Sequence, residues 1–439
     1  MNSEPLESHP LEIADVVRRH GAELIEKFGS VLSSEQRRVL RDIACCRTAA
    51  LGGHVSECDE CGHRQAAYNS CRNRHCPKCQ AAARAEWLED RASELLPVPY
   101  FHVVFTLPES IAALALHNQR VVYGLLFQAA SATLLEVAAN PQHLGARIGV
   151  LAVLHTWGQN LMYHPHLHCV VPGGGFSDDG KDWVSCRPNF FLPVRVLSRV
   201  FRGKFIDLLR RARTRGKLKF LGAQSRLGND AAFEAWLDQT VRTEWVVYAK
   251  PPFGGPEQVL KYLARYTHRV AISNQRLIKL ENGQVTFRWK DYADGNTKKT
   301  MALSAVEFLR RFLLHVLPKG FVKIRHFGFM ANRHRKSLLE HARKLLGVDC
   351  ESVATSDAVA AELPSPTLEA EISRCPACGQ GRLHCIEELP RFNLFLPLPV
   401  LFKTITVSRP IASRRIDQGG ELQVVSSPGS VKATTTDTS

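Results

Sequence analysis

Residues 164–175 read HPHLHCVVPGGG, a strand-like run that ends in a glycine turn. Because successive side chains on a β-strand point to opposite faces, His166 and His168 share one face while Leu167 turns toward the core. The apolar, β-branched stretch IGVLAVLHTW at 148–157 predicts another strand just before it. The sequence therefore predicts a sheet in which two imidazoles stand side by side on one strand.

These two imidazoles form a two-ligand arm for a divalent metal ion. Nitrogen ligands of this kind suit Mn²⁺ or Zn²⁺, or a Mg²⁺ ion that substrate oxygens and water otherwise coordinate. A third ligand is expected from the preceding segment, where Gln159 and His155 are the candidates and the spacing does not choose between them. A polar strand face without a metal would give the same pattern.

A second candidate site is a predicted helix over 256–268. Pro256 at its first position and an acid in its first turn are typical of a helix start. Tyr262 and Tyr266 are four residues apart, so they lie on one face of this helix. A phenolate can attack a phosphodiester if its pKa of about 10 is lowered. The basic neighbours that could do this, or bind phosphate, are Lys261, Arg265 and Arg269. The plainer interpretation is two tyrosines on the rim of a core.

Two cysteine knuckles near the N-terminus predict a structural metal site. They are Cys58-x2-Cys61 and Cys76-x2-Cys79, with fourteen residues between them. Four thiolates at this spacing fit a tetrahedral Zn²⁺ ion that stabilises a small domain. Other donors nearby could replace one ligand or join a second site: Cys71, His63 and His75.

A further knuckle, Cys375-x2-Cys378, lies close to the C-terminal end and is followed by His384 and Cys385. The pattern is incomplete, so it indicates either a small zinc ribbon or the remnant of one. The other cysteines are expected to be ordinary small apolar residues. They are Cys45, Cys46, Cys169, Cys186 and Cys350.

Composition narrows the class of protein. The chain has 439 residues, a formal net charge of +15 and 13 cysteines. This length suggests two or three domains, and no uninterrupted apolar run approaches the ~20 residues of a membrane helix. The acidic, polar start does not resemble a signal peptide, so we expect a cytoplasmic protein in which clustered cysteines bind metal rather than form disulfides. The positive charge favours a polyanionic partner such as nucleic acid.

Basic residues concentrate in two segments, 195–219 and 319–336. Contact with a phosphate backbone is the natural interpretation, and solvated helix faces are the alternative. The residues chosen as DNA-binding candidates from these segments are Arg210, Arg211, Arg213, Arg333 and Arg335.

The histidine and tyrosine motifs together resemble the HUH rolling-circle endonucleases, which are named for two histidines around a hydrophobic residue. HPHLHCVVPGGG is followed by KYLARYTHRVAIS at 261–273, and this combination is similar to the two-tyrosine transposases of the insertion sequence 91 family. Later blocks also resemble that family: WVVYAKPPFGGPEQ at 245–258, VTFRWKDY at 285–292 and IRHFGFMANRHRKSLL at 324–339. The resemblance covers most of the chain but not the tail after about residue 385.

The resemblance implies an α+β protein, with an antiparallel sheet flanked by helices that follows a helical and four-cysteine zinc-binding domain. It implies single-stranded DNA nicking and joining at insertion-element ends through a 5′-phosphotyrosine, with Mg²⁺ or Mn²⁺ for catalysis and Zn²⁺ for structure. By matching position, His166 and His168 bind the catalytic metal, and Tyr262 and Tyr266 are nucleophiles. The third metal ligand is not carried over.

The expected organisation has five parts. They are N-terminal helices at 1–52, a zinc-binding domain at 53–98, the HUH catalytic domain with its basic helical extension at 99–346, a linker at 347–374, and a small cysteine-containing segment with a disordered tail at 375–439. The expected location is the bacterial cytoplasm on the nucleoid, without a membrane partner, and a homo-oligomer is left open. Two alternatives remain: a plasmid replication initiator or relaxase with the same chemistry, and a non-catalytic zinc-dependent DNA-binding protein.

Overall fold

The computed structural model describes residues 10–80, 93–250, 258–259, 270–291, 294–348, 374–391 and 397–407, with side chains as far as Phe402 in the last range. The first half of the chain contains α1 Ile13–Phe28, α2 Ser34–Cys45, β1 Gly53–Cys58, β2 Arg64–Tyr68, β3 Tyr100–Thr106, α3 Glu109–Ala115, α4 Gln119–Ala139, β4 Gly149–Trp157, β5 Tyr163–Pro172, β6 Gly174–Phe176, β7 Trp183–Ser185 and α5 Val194–Thr214. The second half contains α6 Asp230–Arg242, β8 Val247–Lys250, β9 Leu277–Glu281, β10 Gln284–Asp291, β11 Thr297–Ser304, α7 Ala305–Leu314, β12 Ile324–Gly328, α8 Arg335–Leu345, β13 Leu383–Leu389 and α9 Leu398–Val407.

A five-stranded sheet in the order β12-β4-β5-β3-β8 forms the centre of the region 99–346, and every neighbouring pair is antiparallel. Leu167, Cys169 and Val171 of the middle strand β5 point to one face, where α3, α4, α5 and α6 cover them in one large core. The expected α+β architecture, an antiparallel sheet with helices packed on it, is confirmed.

The other face of the sheet carries the histidines and a smaller apolar cluster. Leu151 of β4 and Val170 of β5 pack there with Leu339 and Ala342 of α8, and Val259 belongs to the same buried cluster. We call this side of the sheet the histidine face. Therefore α8 lies on the histidine face, whereas α5 lies on the opposite one.

Helix α4 is long and apolar enough to cross a membrane by length and composition alone. Its side chains Tyr123, Phe127 and Leu134 are nevertheless fully buried in the large core. This burial is typical of the central helix of a folded domain, which must be apolar on most of its surface.

The N-terminal helices belong to a second core. Helices α1 and α2 pack with the β9–β11 sheet, α7 and α9. Ser33 caps the start of α2, because its hydroxyl accepts from the Gln36 N–H at 3.2 Å and the Gln36 side chain accepts from the Ser33 N–H at 2.9 Å. Phe402 of α9 is completely buried and lies where a Cβ at Gly21 of α1 would stand, so this glycine permits the contact.

The predicted C-terminal cysteine segment is not separate from the N-terminal part of the chain. Strand β13 pairs antiparallel with β1, which also pairs with β2, so residues more than 300 positions apart form one three-stranded sheet. The predicted linker lies outside the described residues over 349–373, as does the tail after 407.

Candidate metal centres and nucleic-acid site

Three histidines meet on the histidine face. His155 of β4 lies directly opposite His166 of β5, and His168 follows two residues along the same strand. One ring nitrogen from each lies within 4.8 Å of the others, and His166 Nε2 is 3.1 Å from His168 Nε2. His155 and His168 are only 3% and 8% exposed, while His166 is half-buried. The cluster therefore opens to solvent at His166.

Two of these histidines form a hydrogen bond through their other ring nitrogen, and for His166 this bond sets the tautomer. His166 Nδ1 is 2.6 Å from the carbonyl oxygen of His164, which can only accept, so Nδ1 carries the proton and Nε2 has a lone pair. His168 Nδ1 is 2.8 Å from His102 Nε2. When His168 donates in this bond, its Nε2 has a lone pair as well.

The donor set fits a divalent metal ion. With His168 donating to His102, two lone pairs face each other at 3.1 Å and repel unless a cation binds both. Two nitrogens about 2.1 Å from one ion, at an angle of about 90–110°, lie about 3.0–3.4 Å apart. Burial lowers the pKa of His102 to about 3, which keeps this second-layer imidazole neutral and able to accept. Trp157 stacks on the ring of His155 at 4.6 Å and restricts its orientation.

Of the two candidates for third ligand, the structure brings His155 into the cluster. The His155–His166 register places it there, since directly opposed residues of an antiparallel pair share a face. Gln159 lies in the turn between β4 and β5, and its backbone carbonyl accepts from Arg276.

The predicted nucleophiles Tyr262 and Tyr266 lie outside the described residues, as do Lys261 and Arg265. Residues 258–259 are described and helical, within the helix predicted over 256–268. Val259 is buried on the histidine face of the sheet.

The four cysteines predicted to form one zinc site are divided between two clusters, which corrects that prediction. Cys76 and Cys79 lie with Cys46 and Cys71, a set that we call the inner cluster. Its Sγ–Sγ distances are 3.5 Å for Cys71–Cys79 and 3.6 Å for Cys46–Cys79 and Cys46–Cys76. Cys46 was expected to be an ordinary apolar residue, and that expectation is wrong because the end of α2 brings its thiol against the second knuckle.

The other half of the predicted set joins the C-terminal knuckle. Cys58 and Cys61 lie with Cys375 and Cys378, a set that we call the clasp cluster. Backbone N–H groups, that of Gly381 foremost, lower the pKa of Cys378 to about 6, which favours a thiolate at neutral pH. Three other predicted donors have partners or positions outside both clusters. His75 accepts from the Leu317 N–H, His384 contacts Asp59, and Cys385 is exposed.

A sequence signal separates the two kinds of knuckle. Cys61 and Cys378 are each followed by a glycine with positive φ, Gly62 at 64° and Gly379 at 69°. The Cys76–Cys79 knuckle has Gln80 at the equivalent place, and its residues 77–80 are helical. The two knuckles that share the glycine turn are therefore the two that form the clasp cluster.

The predicted DNA-binding arginines of α5 are paired within the protein. The ion pairs are Arg210–Glu234, Arg211–Asp207 and Arg213–Asp230. Arg213 is only 14% exposed at its side chain and lies over the ring of Phe233 at 4.4 Å, so it holds α5 against α6. DNA contact by Arg210 and Arg211, which are more exposed, stays a prediction.

The second basic segment lies next to the histidine face. Arg335 at the start of α8 pairs with Glu94 at 3.0 Å, and both side chains are mostly buried. Arg333, in the turn before this helix, is exposed. Of the two arginines, Arg333 is therefore the more accessible to DNA.

The family models and the relatives that match this chain are all described as transposases or transposase domains. Residues 16–107 match a family model described as a transposase zinc-binding domain, and residues 149–337 match one described as a putative transposase. A putative transposase, y4qJ, of Sinorhizobium fredii is 56% identical over 382 residues, which cover 86% of this chain and 95% of the relative. The transposase for insertion sequence element IS801 of Pseudomonas savastanoi pv. phaseolicola is 28% identical over 377 residues, covering 84% and 88%.

Among solved structures, the conjugative relaxase TrwC in complex with oriT DNA aligns with 57% of this chain and 73% of its own, at 14% identity and a TM-score of 0.22.

Proposed function

The chain belongs to the insertion sequence 91 family of transposases, and from that premise we propose that it nicks and rejoins single-stranded DNA at insertion-element ends by tyrosine attack. The observation that carries the proposal is the cluster of His155, His166 and His168 on the two central strands of the sheet, with one edge open to solvent. The place of action is the bacterial chromosome in the cytoplasm.

The three imidazoles would hold Mg²⁺ or Mn²⁺, which supplies Lewis-acid stabilisation of the charge that develops on a scissile phosphate. The protein's own contribution is to fix the donors. His102 and the His164 carbonyl orient His168 and His166, and Trp157 orients His155. Because His155 and His168 are buried among the described residues, a phosphate would approach from the side of His166.

In the proposed reaction the phenolate oxygen of Tyr262 or Tyr266 forms a bond to phosphorus. The bond from phosphorus to the 3′ oxygen breaks, that oxygen takes up a proton, and the 5′ phosphate stays on the tyrosine. Attack by a 3′-OH on the phosphotyrosine reverses these changes and rejoins a strand, so no water-activating residue is required. Val259 supports this assignment, since it lies three positions before Tyr262 and is buried on the histidine face.

The test uses the full-length chain and labelled single-stranded oligonucleotides from the element's ends, with Mn²⁺ or Mg²⁺. We expect protein-linked DNA on a denaturing gel. The adduct should disappear in a Tyr262→Phe/Tyr266→Phe double variant and in His166→Ala, while DNA binding by the histidine variant is largely retained. Binding of these oligonucleotides without any adduct would instead support a non-catalytic zinc-dependent DNA-binding protein.

The same assay separates the candidate third ligands. His155→Ala should lose cleavage at low Mn²⁺, whereas Gln159→Ala should cleave like the unmodified chain. Equal loss in both variants would contradict the assignment of His155.

A further inference from the structure

The clasp cluster, Cys58, Cys61, Cys375 and Cys378, is a complete tetrathiolate site of its own. Its Sγ–Sγ distances include 3.8 Å for Cys58–Cys378 and 3.6 Å for Cys61–Cys375, and all four sulfurs lie within 4.8 Å of one another. Four sulfurs bound tetrahedrally at about 2.3 Å from one ion are about 3.8 Å apart. The inner cluster has four different thiols in a similar arrangement, so neither cluster needs a ligand from the other.

The two halves of the clasp cluster have the same turn, although they are 314 residues apart. The Gly62 N–H donates to the Cys58 carbonyl at 3.1 Å, and the Gly379 N–H donates to the Cys375 carbonyl at 2.9 Å. In the second turn the N–H groups of Ala377 and Gly381 also point at the sulfurs of Cys375 and Cys378, each at 3.4 Å. Such N–H to sulfur bonds favour the thiolate form that a metal requires.

Contacts beyond the sulfurs fix the two halves together. The Asp59 N–H donates to the Arg382 carbonyl at 3.1 Å, and Asp59 Oδ1 accepts from the Arg382 N–H at 2.7 Å. A Cβ at Gly381 would overlap Cys58 Sγ, so only glycine fits at that position. Strand β13 also pairs with β1, and farther along the chain Phe402 of α9 is buried against α1.

We propose that the chain binds two structural zinc ions and that the second, in the clasp cluster, fastens the C-terminal segment 374–407 to the N-terminal zinc-binding domain. Zinc is the ion chosen because four thiolates in a closed tetrahedral set are typical of structural zinc sites. The site has no open position for substrate, so its role is to hold together two parts of the chain that are distant in sequence.

Thiolate-bound zinc can be counted on the full-length chain. After dialysis against EDTA, an organomercurial reagent displaces zinc from the cysteines, and a chromophoric chelator measures the zinc released. We expect two zinc ions per chain, and one in a Cys375→Ser/Cys378→Ser double variant. Cys385→Ser is the matched control, because this exposed thiol lies on β13 outside both clusters, and it should keep two. His166→Ala should also keep two, which separates this count from the catalytic site.

One zinc per chain in the unmodified protein would overturn the proposal, as would two in the double variant, or iron in place of zinc by elemental analysis. A Cys58–Cys378 or Cys61–Cys375 disulfide found by mass spectrometry would overturn it too. If the double variant does not fold, the order in which the unmodified chain loses its zinc ions tests the proposal. Cys61 of the clasp cluster is exposed, whereas Cys46 and Cys76 of the inner cluster are buried, so the clasp cluster should react first. When an alkylating reagent is added, zinc should leave in two equal phases. Among the eight cysteines of the two clusters, only those of the clasp cluster should be alkylated in the first phase, whereas the exposed Cys385 should react independently of zinc release. Alkylation of Cys71 in that phase would refute the assignment.

Discussion

His102 offers the sharpest test of how the histidine cluster is built. Its Nε2 lies 2.8 Å from His168 Nδ1, and the two rings are stacked with centroids 5.0 Å apart. His102→Phe keeps a ring of similar size for this stacking but removes the ring nitrogen that is hydrogen-bonded to His168 Nδ1. His168 would then lose the hydrogen bond that holds its tautomer and its orientation.

Loss of an outer hydrogen-bond partner typically reduces metal affinity by about 10–100-fold. This corresponds to about 1.4–2.7 kcal/mol of binding free energy. Calorimetric titration of the full-length chain with Mn²⁺ should show this weakening, and the Mn²⁺ concentration needed for half-maximal DNA cleavage should rise by the same factor. Cleavage at saturating Mn²⁺ should change little, because His102 positions a ligand and does not touch the DNA.

Two variants serve as controls. His102→Gln retains a carbonyl acceptor and should recover part of the Mn²⁺ affinity. His75→Phe removes another histidine whose pKa burial lowers to about 3, but one that is not among the three clustered histidines, and it should leave the Mn²⁺ affinity unchanged. If His102→Phe binds Mn²⁺ as tightly as the unmodified chain, the role assigned to this hydrogen bond is wrong.

Three other perturbations follow from interactions in the structure. Phe402→Ala should lower the free energy of unfolding by about 3–5 kcal/mol, and the exposed Val400→Ala should not, which chemical denaturation would show. Arg333→Glu should weaken single-stranded DNA binding more than Arg199→Glu, which lies on the opposite face of the sheet. In anisotropy titrations over a salt series, the slope of log affinity against log salt concentration should fall by about 0.7 for each phosphate that the protein no longer neutralises. Equal effects of the two variants would contradict DNA binding on the histidine face. Hydrogen bonds, mainly from Arg310, lower the pKa of Glu307 from 4.5 to about 2. Glu307 therefore stabilises the fold at neutral pH, and this contribution is lost as the pH falls toward 2, so the difference in melting temperature from Glu307→Gln should shrink between pH 7 and pH 3.

The sequence predicted which face of the sheet each side chain of β5 occupies, because the alternation of side chains along a strand is a local property. His166 and His168 needed only the period of two to be placed together, and Leu167 faces the core as expected. The choice of His155 over Gln159 depended on the register between β4 and β5, which side-chain patterns do not specify, and which shifts between His155 and Trp157.

Which cysteine knuckles share a metal site could not be predicted from their spacing in the sequence. Spacing between neighbouring knuckles suggested one zinc site, but the structure pairs each knuckle with a more distant partner. The contact between Cys61 and Cys375 is a tertiary pairing across 314 residues that no local pattern encodes. The glycine that follows Cys61 and Cys378 was the available signal, because both positions adopt a left-handed conformation.

The ion pairs of the basic helix α5 could not be predicted from the sequence either. Arg213 looked like a DNA contact because its neighbours in sequence are basic. Its partner Asp230 lies on the next helix, and only the packing of α5 against α6 brings the two together. A cluster of positive charge in the sequence therefore overstated the charge that is free to meet DNA.

The proposed reaction requires that Tyr262 or Tyr266, on the helix predicted over 256–268, attacks DNA beside the histidine cluster. The most direct test is to digest the DNA-linked protein with trypsin and nuclease and to find the nucleotide-bearing peptide by mass spectrometry. Trypsin cuts after Lys261 and Arg265, so Tyr262 falls in the peptide YLAR and Tyr266 in YTHR. We expect a nucleotide on one of these two peptides, and only when Mn²⁺ or Mg²⁺ is present. A nucleotide on any other residue, or cleaved DNA without a covalent peptide, would contradict it.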